Sequence, residues 1–191
     1  AVDCGFPHTI LDIRGEFKGF IIDNFVEEYM AGRTPNPCVL CNTHIKWEAL
    51  LKRADMLNCE FIATGHYAQV REVEGRFVVS KGLDESKDQS YVLWGVTQEC
   101  LKRTIFPMGE YHKKDIKQMA LDRGYKALAE KNESYDICFI PDNNYKRFII
   151  FKNSSFCKIE FFIIRKEIYK KMLIIKIDII EPYSSETIAI I

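Results

Sequence analysis

Phe61-Ile-Ala-Thr-Gly-His-Tyr67 is a short apolar run that breaks abruptly at a glycine. Its length and apolar continuity mark a buried strand of a layered α/β domain. A glycine just past a strand lets a ligand approach the backbone closely. Ligands of open α/β sheets sit at the carboxyl ends of the strands, which makes Thr64-Gly65-His66 a candidate site. Taken alone, the segment is equally an ordinary β–α turn, and His66 equally a satisfied surface histidine.

The flanking chain alternates helix and strand. Upstream, His8 to Ile13 reads as a strand and Glu16 to Met30 as an amphipathic helix. Phe17, Phe20, Ile21, Phe25, Val26 and Tyr29 recur at its 3–4 spacing, and Gly32 is its stop. Asn42 is the expected cap of the next helix, whose apolar face is Ile45, Ala49, Leu50, Ala54 and Leu57. Downstream, residues 67–71 and 76–80 form a hairpin around Glu74-Gly75. Asp88 to Val96, Gln98 to Arg103 and His112 to Arg123 read as helices, the last ending at Gly124. The pattern predicts an α/β domain with a mostly parallel sheet.

The chain has 191 residues, 47% hydrophobic, and its 27 basic and 27 acidic residues cancel. That balance argues against a strongly basic nucleic-acid protein but permits a local basic groove. No apolar run approaches the ~18–20 residues that span a membrane. Seven cysteines at irregular spacing fit a reducing, cytoplasmic setting better than a disulfide-stapled one.

Sulfur chemistry is the strongest local signal. Gly32-Arg-Thr-Pro-Asn-Pro-Cys-Val-Leu-Cys-Asn42 is stiffened by Pro35 and Pro37 and delivers Cys41 toward a helix start. A thiol there is expected to feel the helix dipole, which stabilises thiolate. Asp136-Ile-Cys-Phe-Ile140 holds Cys138 in an apolar run beside acidic residues that would raise its pKa. An isolated cysteine in that setting reads as a buried, inert thiol, and only pairing with Cys41 makes it functional. Cys38, Cys41 and Cys138, with His44, could instead hold zinc or an iron–sulfur cluster, although no second Cys-x-x-Cys exists. Cys59, Cys100 and Cys157 lie in ordinary apolar patterns.

Lys81-Gly-Leu-Asp-Glu-Ser-Lys-Asp-Gln-Ser-Tyr91 packs donors and acceptors into one loop. Ser86 or Asp88 can cap the helix expected after it, and Lys87 and Gln89 can meet a phosphate or a base edge. Lys113, Lys114, Lys117, Lys146 and Arg147 either line a groove or form solvated faces.

In this order, the loop Gly32–Asn42 with Ile45-Lys46, then Ala63-Thr-Gly-His-Tyr-Ala68, Gly82-Leu-Asp84 with Lys87-Asp-Gln-Ser-Tyr91, Phe106-Pro-Met-Gly109 and Asp136-Ile-Cys-Phe-Ile-Pro141 closely resemble the tRNA-specific 2-thiouridylases (MnmA/TrmU). The resemblance covers roughly residues 5–150. It implies an incomplete Rossmann-like adenine nucleotide alpha-hydrolase (PP-loop ATPase) core of the α/β class, with a small helical central region. The implied activity is ATP-dependent sulfur transfer to the wobble uridine of tRNA, with magnesium. ATP adenylates the C2 oxygen, and a persulfide sulfur then displaces AMP. The implied partners are tRNA and a persulfide-carrier protein that donates the sulfur.

Residue by residue, the resemblance gives Cys138 the persulfide and makes Cys41 its nucleophilic partner, with a Cys41–Cys138 disulfide at one stage. Gly65 matches an ATP-site residue. His66, Lys87, Asp88 and Gln89 match tRNA-contacting residues, and Asn36, Pro37 and Cys38 touch the flipped target base. The implied division is a partial nucleotide-binding domain over 1–80 and a central tRNA-binding region over 81–150. The alternative is a metal-binding or RNA-binding module without catalysis.

Two departures stand beside the resemblance. The family's opening Ser-Gly-Gly-Val-Asp-Ser-type phosphate loop has no counterpart here, so the chain is expected to start after it, to bind ATP poorly and to be inactive alone. Residues 151–191 replace the family's glycine-containing barrel domains with an isoleucine- and lysine-rich tail. Isoleucine fills 14 of the 43 positions from Ile149 to Ile191, and no glycine follows Gly124. Strands over Ile159–Ile164 and Leu173–Ile180 are proposed on β-branched content alone, and the tail is otherwise unplaced and not expected to continue the native fold.

Overall fold

The computed structural model describes residues 8–131, 137–140, 142–153, 174–180 and 188–190, with the backbone alone from residue 151 onward. Strand β1 spans His8–Asp12. Helix α1 then runs without a break through Arg14–Phe17, a π-wound Lys18–Asp23 and Asn24–Met30. Phe17, Ile21 and Phe25, four residues apart, are buried to the last atom or nearly so, whereas Phe20 turns outward. The helix stops as expected at Gly32, whose φ is 75°. The Gly32 N–H donates to the Tyr29 carbonyl and the Arg33 N–H to that of Glu28, the pairing that closes a helix at a left-handed residue.

Helix α2 starts earlier than the sequence suggests. It runs through Pro37–Leu40, a π-wound Cys41–Ala49 and Leu50–Met56. Its cap is Asn36, whose Oδ1 accepts the Val39 N–H at 3.4 Å, and not Asn42, which lies buried inside the helix. Pro37, with its φ already set, occupies the first helical position and makes Asn36 the natural cap.

Helix α2 separates two hydrophobic clusters. Ile45, Leu50 and Ala54 face the first, with Ile13, Phe17, Ile21, Phe25, Ile62 and Phe139. Val39 and Trp47 face the second, with Ala68, Leu93, Leu101 and Phe106. Each fully buried large side chain stabilises by roughly 1.5–3 kcal/mol. Trp47 is fixed further, its indole Nε1 donating to Thr104 Oγ1 at 2.7 Å.

The main sheet has five strands in the order β1-β6-β7-β2-β5, where β2 is Phe61–Ala63, β5 Thr104–Ile105, β6 Ile174–Ile180 and β7 Ile188–Ile190. It is mixed rather than mostly parallel: β7–β2 and β2–β5 are parallel, while β1–β6 and β6–β7 are antiparallel. Two strands of the isoleucine-rich tail therefore stand between β1 and β2. The strand expected over Leu173–Ile180 is present as β6, and the one over Ile159–Ile164 lies outside the described residues.

The hairpin of β3 (Ala68–Val73) and β4 (Arg76–Lys81) forms a separate sheet. Its turn has Glu74 and Gly75 both at positive φ, 51° and 74°, which suits the strand twist. A Cβ on Gly109 would collide with the Ala68 carbonyl, so Phe106-Pro-Met-Gly109 is a close backbone contact beneath this hairpin.

The helix expected over residues 88–96 is absent. Single 3₁₀ turns at Glu85–Lys87 and Ser90–Val92 take its place. Asp88 is extended between them, and its Oδ1 accepts the N–H groups of Gly82 and Ser90. Such a side chain offers the backbone an alternative to the helix. Helix α3 (Gln98–Lys102) and helix α4 (Lys113–Asp122), the latter closed by Gly124 at φ 83°, match expectation. Helices α5 (Lys126–Ala129) and α6 (Tyr145–Asn153) follow.

Candidate active site

A cavity of about 470 Å³ opens at the carboxyl end of β2. Helix α2 supplies Cys38, Asn42 and Lys46, spaced four apart and thus on one face. The turn after β2 supplies Gly65, His66 and Tyr67, and the loop after β4 supplies Lys87, Asp88, Gln89 and Tyr91. Of the residues singled out in the sequence, Cys38, Gly65, His66, Lys87, Asp88 and Gln89 therefore line one space. Asn36 and Pro37 stand just before it, as cap and first residue of α2.

His66 is 7% exposed, so it is not a surface histidine. It sits beside Trp47 and Phe106, with ring centroids 5.5 and 6.1 Å away. Its Nε2 is 3.4 Å from Lys46 Nζ and its Nδ1 is 2.8 Å from Thr64 Oγ1. An ammonium can only donate, so Nε2 accepts and Nδ1–H donates to the threonine. Burial, helped by the Lys46 charge, pushes the His66 pKa down to about 3, and the ring is neutral.

Gly65 is exposed, and a Cβ there would meet nothing within 4 Å. The space over this backbone is open to a ligand. The loop facing it is tied to the β2 turn: the Gln89 N–H donates to the Tyr67 carbonyl at 2.9 Å, and Gln89 Oε1 accepts the Tyr67 N–H at 3.0 Å. For Asp88, burial raises the pKa, but the hydrogen bonds from Ser90 and Gly82 outweigh it and leave a net lowering.

Cys38 lines the cavity, and Cys41 and Cys138 lie close to it. Cys38 is exposed in the first turn of α2, and Cys41 is half-buried against the first cluster. Phe139 and Ile140 are buried in that cluster and hold Cys138 beside them, with an open face to solvent. The three thiols are close enough for Cys38 and Cys138 to raise the pKa of Cys41, and for Cys38 to raise that of Cys138. Burial is the larger cause at both and pushes Cys41 up to about 11. The expected dipole-stabilised thiolate at Cys41 is thus overturned. Cys41 lies in the second turn of α2, where burial outweighs the helix end, and Lys46 is what opposes the upward push at both cysteines.

Among the described residues no group of three or more His, Cys, Asp or Glu side chains is placed to hold a metal ion. His44 instead stacks on Phe20 at 5.3 Å and meets Glu48. The zinc or iron–sulfur alternative thus has no geometric support. No helix among the described residues is long and apolar enough to cross a membrane.

Asn42 and Lys46 are among the cavity-wall residues that sequence reasoning did not assign to the site. The 38/42/46 spacing on one helix was the available signal.

Comparisons with known proteins identify the family. The family model for the tRNA methyl transferase HUP domain matches residues 1–142. A tRNA-specific 2-thiouridylase MnmA of Cytophaga hutchinsonii is 62% identical over 153 residues, which is 80% of this chain and 42% of the relative. The MnmA of Amoebophilus asiaticus is 64% identical over 149 residues, 78% of this chain and 40% of the relative. That of Salinibacter ruber is 58% identical over 151 residues, 78% and 39% respectively. The chain thus spans about two fifths of the length of the curated relatives it matches. The match bears out a Rossmann-like PP-loop core of the α/β class, and with it the chain belongs to the tRNA methyl transferase HUP-domain family, among relatives that are tRNA-specific 2-thiouridylases.

Proposed function

We propose that this chain carries the sulfur-handling segment of an ATP-dependent tRNA 2-thiouridylase, acting on the wobble uridine. One observation carries the reading: three separated segments converge on a single cavity, with Cys41 and Cys138 close to Cys38 and Lys46 of its wall. The relatives' printed names supply the substrate class.

In this reading ATP, with magnesium, supplies activation of the C2 oxygen and lies over the open Gly65 backbone. Asn36, Pro37 and Cys38 meet the target base, which must leave its stack for C2 to be reached. His66, Lys87, Asp88 and Gln89 hold the tRNA around it. Asp88 and Gln89 do so by shaping the loop, because their carboxylate and amide oxygens already accept backbone N–H groups. Cys138 bears the extra sulfur received from a cytoplasmic persulfide carrier. The outer sulfur bonds to C2 as the activated oxygen leaves. The Cys41 thiolate then attacks Cys138 Sγ, the S–S bond breaks, and the sulfur stays on the base. The product is a Cys41–Cys138 disulfide that two electrons from a thiol reductant reopen. Lys46 stabilises the thiolate of this step.

The test replaces the matching segment of the Cytophaga hutchinsonii relative with residues 1–142 of this chain and measures 2-thiouridine in tRNA. Cys41→Ser and Cys138→Ser are each expected to abolish thiolation, by at least 100-fold, while leaving tRNA binding intact. Retained thiolation in either variant would overturn the role assignment.

A further inference from the structure

A second cavity, of about 420 Å³, lies beside the first and is lined by Lys87, Lys113, Lys114, Lys117, His112 and Asp84. Four lysines from two segments thus face one carboxylate. That carboxylate is turned inward. Asp84 accepts the Lys113 N–H at 3.0 Å, and the Ser86 N–H and hydroxyl at 3.2 and 2.6 Å, and its side chain is 13% exposed. Its charge fixes the loop to the start of α4 instead of filling the cavity. Lys114 is exposed and Lys117 partly exposed, and both line the cavity from α4, so their charge faces its opening. The two cavities share Ser86, Lys87 and Lys113, and Lys113 Nζ stands 5.8 Å over the Tyr67 ring at their border.

From this continuity we infer that the second cavity binds a backbone phosphate of the same RNA strand whose base enters the first. This rests on the tRNA reading above. Lysines act on phosphate as point charges, without reading sequence. The neutral total of the chain hides this local concentration, which is what orients a strand so that one base meets the cysteines.

The test is tRNA binding by the full 191-residue chain over a salt series, with Lys114→Gln/Lys117→Gln beside the wild type. Glutamine keeps helix propensity, and circular dichroism checks the fold. A lost phosphate contact removes about 0.7–0.9 from the slope of log affinity against log salt, so the double variant, which loses one, is expected to lose about that much and to bind roughly fivefold more weakly. An unmoved slope with normal wild-type binding overturns the cavity assignment and leaves the thiolation reading standing. Unchanged tRNA binding with weakened binding of ATP or inorganic phosphate overturns it too, by assigning the cavity to a free phosphate. Wild-type binding to tRNA with no salt dependence at all overturns the assignment together with any RNA contact by this face.

Discussion

The cavity wall and its rim hold ionisable groups in opposite ways. The wall keeps His66, and the packing beside it keeps Cys41, out of water and therefore neutral, with pKa values pushed to about 3 and about 11. The rim keeps Asp84 and Asp88 charged by surrounding them with N–H and O–H donors, chiefly from Ser86 and Ser90, and lines the space beside Asp84 with lysines. A desolvated wall keeps Cys41 protonated, with Lys46 the charge that favours its thiolate, whereas a charged, solvated rim suits a polyanion that arrives and leaves. The difference also has a thermodynamic signature: the wall makes folding sensitive to pH on both sides of neutrality, and the rim only in acid.

The largest expected effect is at His66. Its native pKa lies below the ordinary 6.5, so the unfolded chain binds the extra proton first. Stability is full above pH 6.5 and is lost as pH falls toward 3, at up to about 1.4 kcal/mol per pH unit and roughly 4 kcal/mol in all. The rim carboxylates, with pKa values below 3.8, act only under pH 4. Urea midpoints between pH 6.5 and 4.5 isolate the wall. His66→Gln is expected to flatten that slope, and an unchanged slope would erase the contrast between wall and rim.

The alkaline side gives a smaller effect of opposite sign. Cys41 ionises in the unfolded chain near 9 and in the native one near 11, so the native state holds more protons in that window. Stability is expected to fall between pH 9 and 11, by roughly 2–3 kcal/mol from Cys41. Cys59 and Cys138 shift in the same direction and share the slope. Cys41→Ala should reduce the slope by about 1.4 kcal/mol per unit, measured by the same midpoints. A variant as steep as the wild type would mean that Cys41 is not held neutral by the packing beside the wall.

Where periodicity and turn chemistry decide the structure, the sequence was sufficient. The Phe17/Ile21/Phe25 stripe, the Gly32 stop, the Glu74-Gly75 turn and the β2 run all stand where local rules put them. Ordered short motifs likewise brought Cys38, Gly65, His66, Lys87, Asp88 and Gln89 to one cavity. Competition between local devices was not legible. Asn36 and Asn42 both have capping chemistry, and the choice between them rests on Pro37. Asp88 could have capped a helix, yet its bonds to Gly82 and Ser90 prevent one. β-branched content marked β6, but no local rule could foresee where the tail strands pair, between β1 and β2, with residues more than a hundred positions away.

Asn42 offers the finest test of the contrast, because its expected effect on stability is near zero. It is 2% exposed, lines the cavity between Cys38 and Lys46, and its Oδ1 has no hydrogen-bond partner among the described residues. A buried acceptor left unmatched costs about 1–3 kcal/mol, whereas an apolar group of similar shape avoids that cost. Asn42→Leu is therefore expected to be neutral or to stabilise by up to about 1 kcal/mol. If the amide belongs to the binding wall, the same change should weaken tRNA binding at least fivefold without altering its salt slope, since no phosphate contact is lost. A variant that loses both stability and binding would show that Asn42 is packing. A reduced salt slope would move it to the rim. Only unchanged stability with weaker binding at a constant slope places the amide where the two cavities divide the work, one reading the base and the other holding the strand.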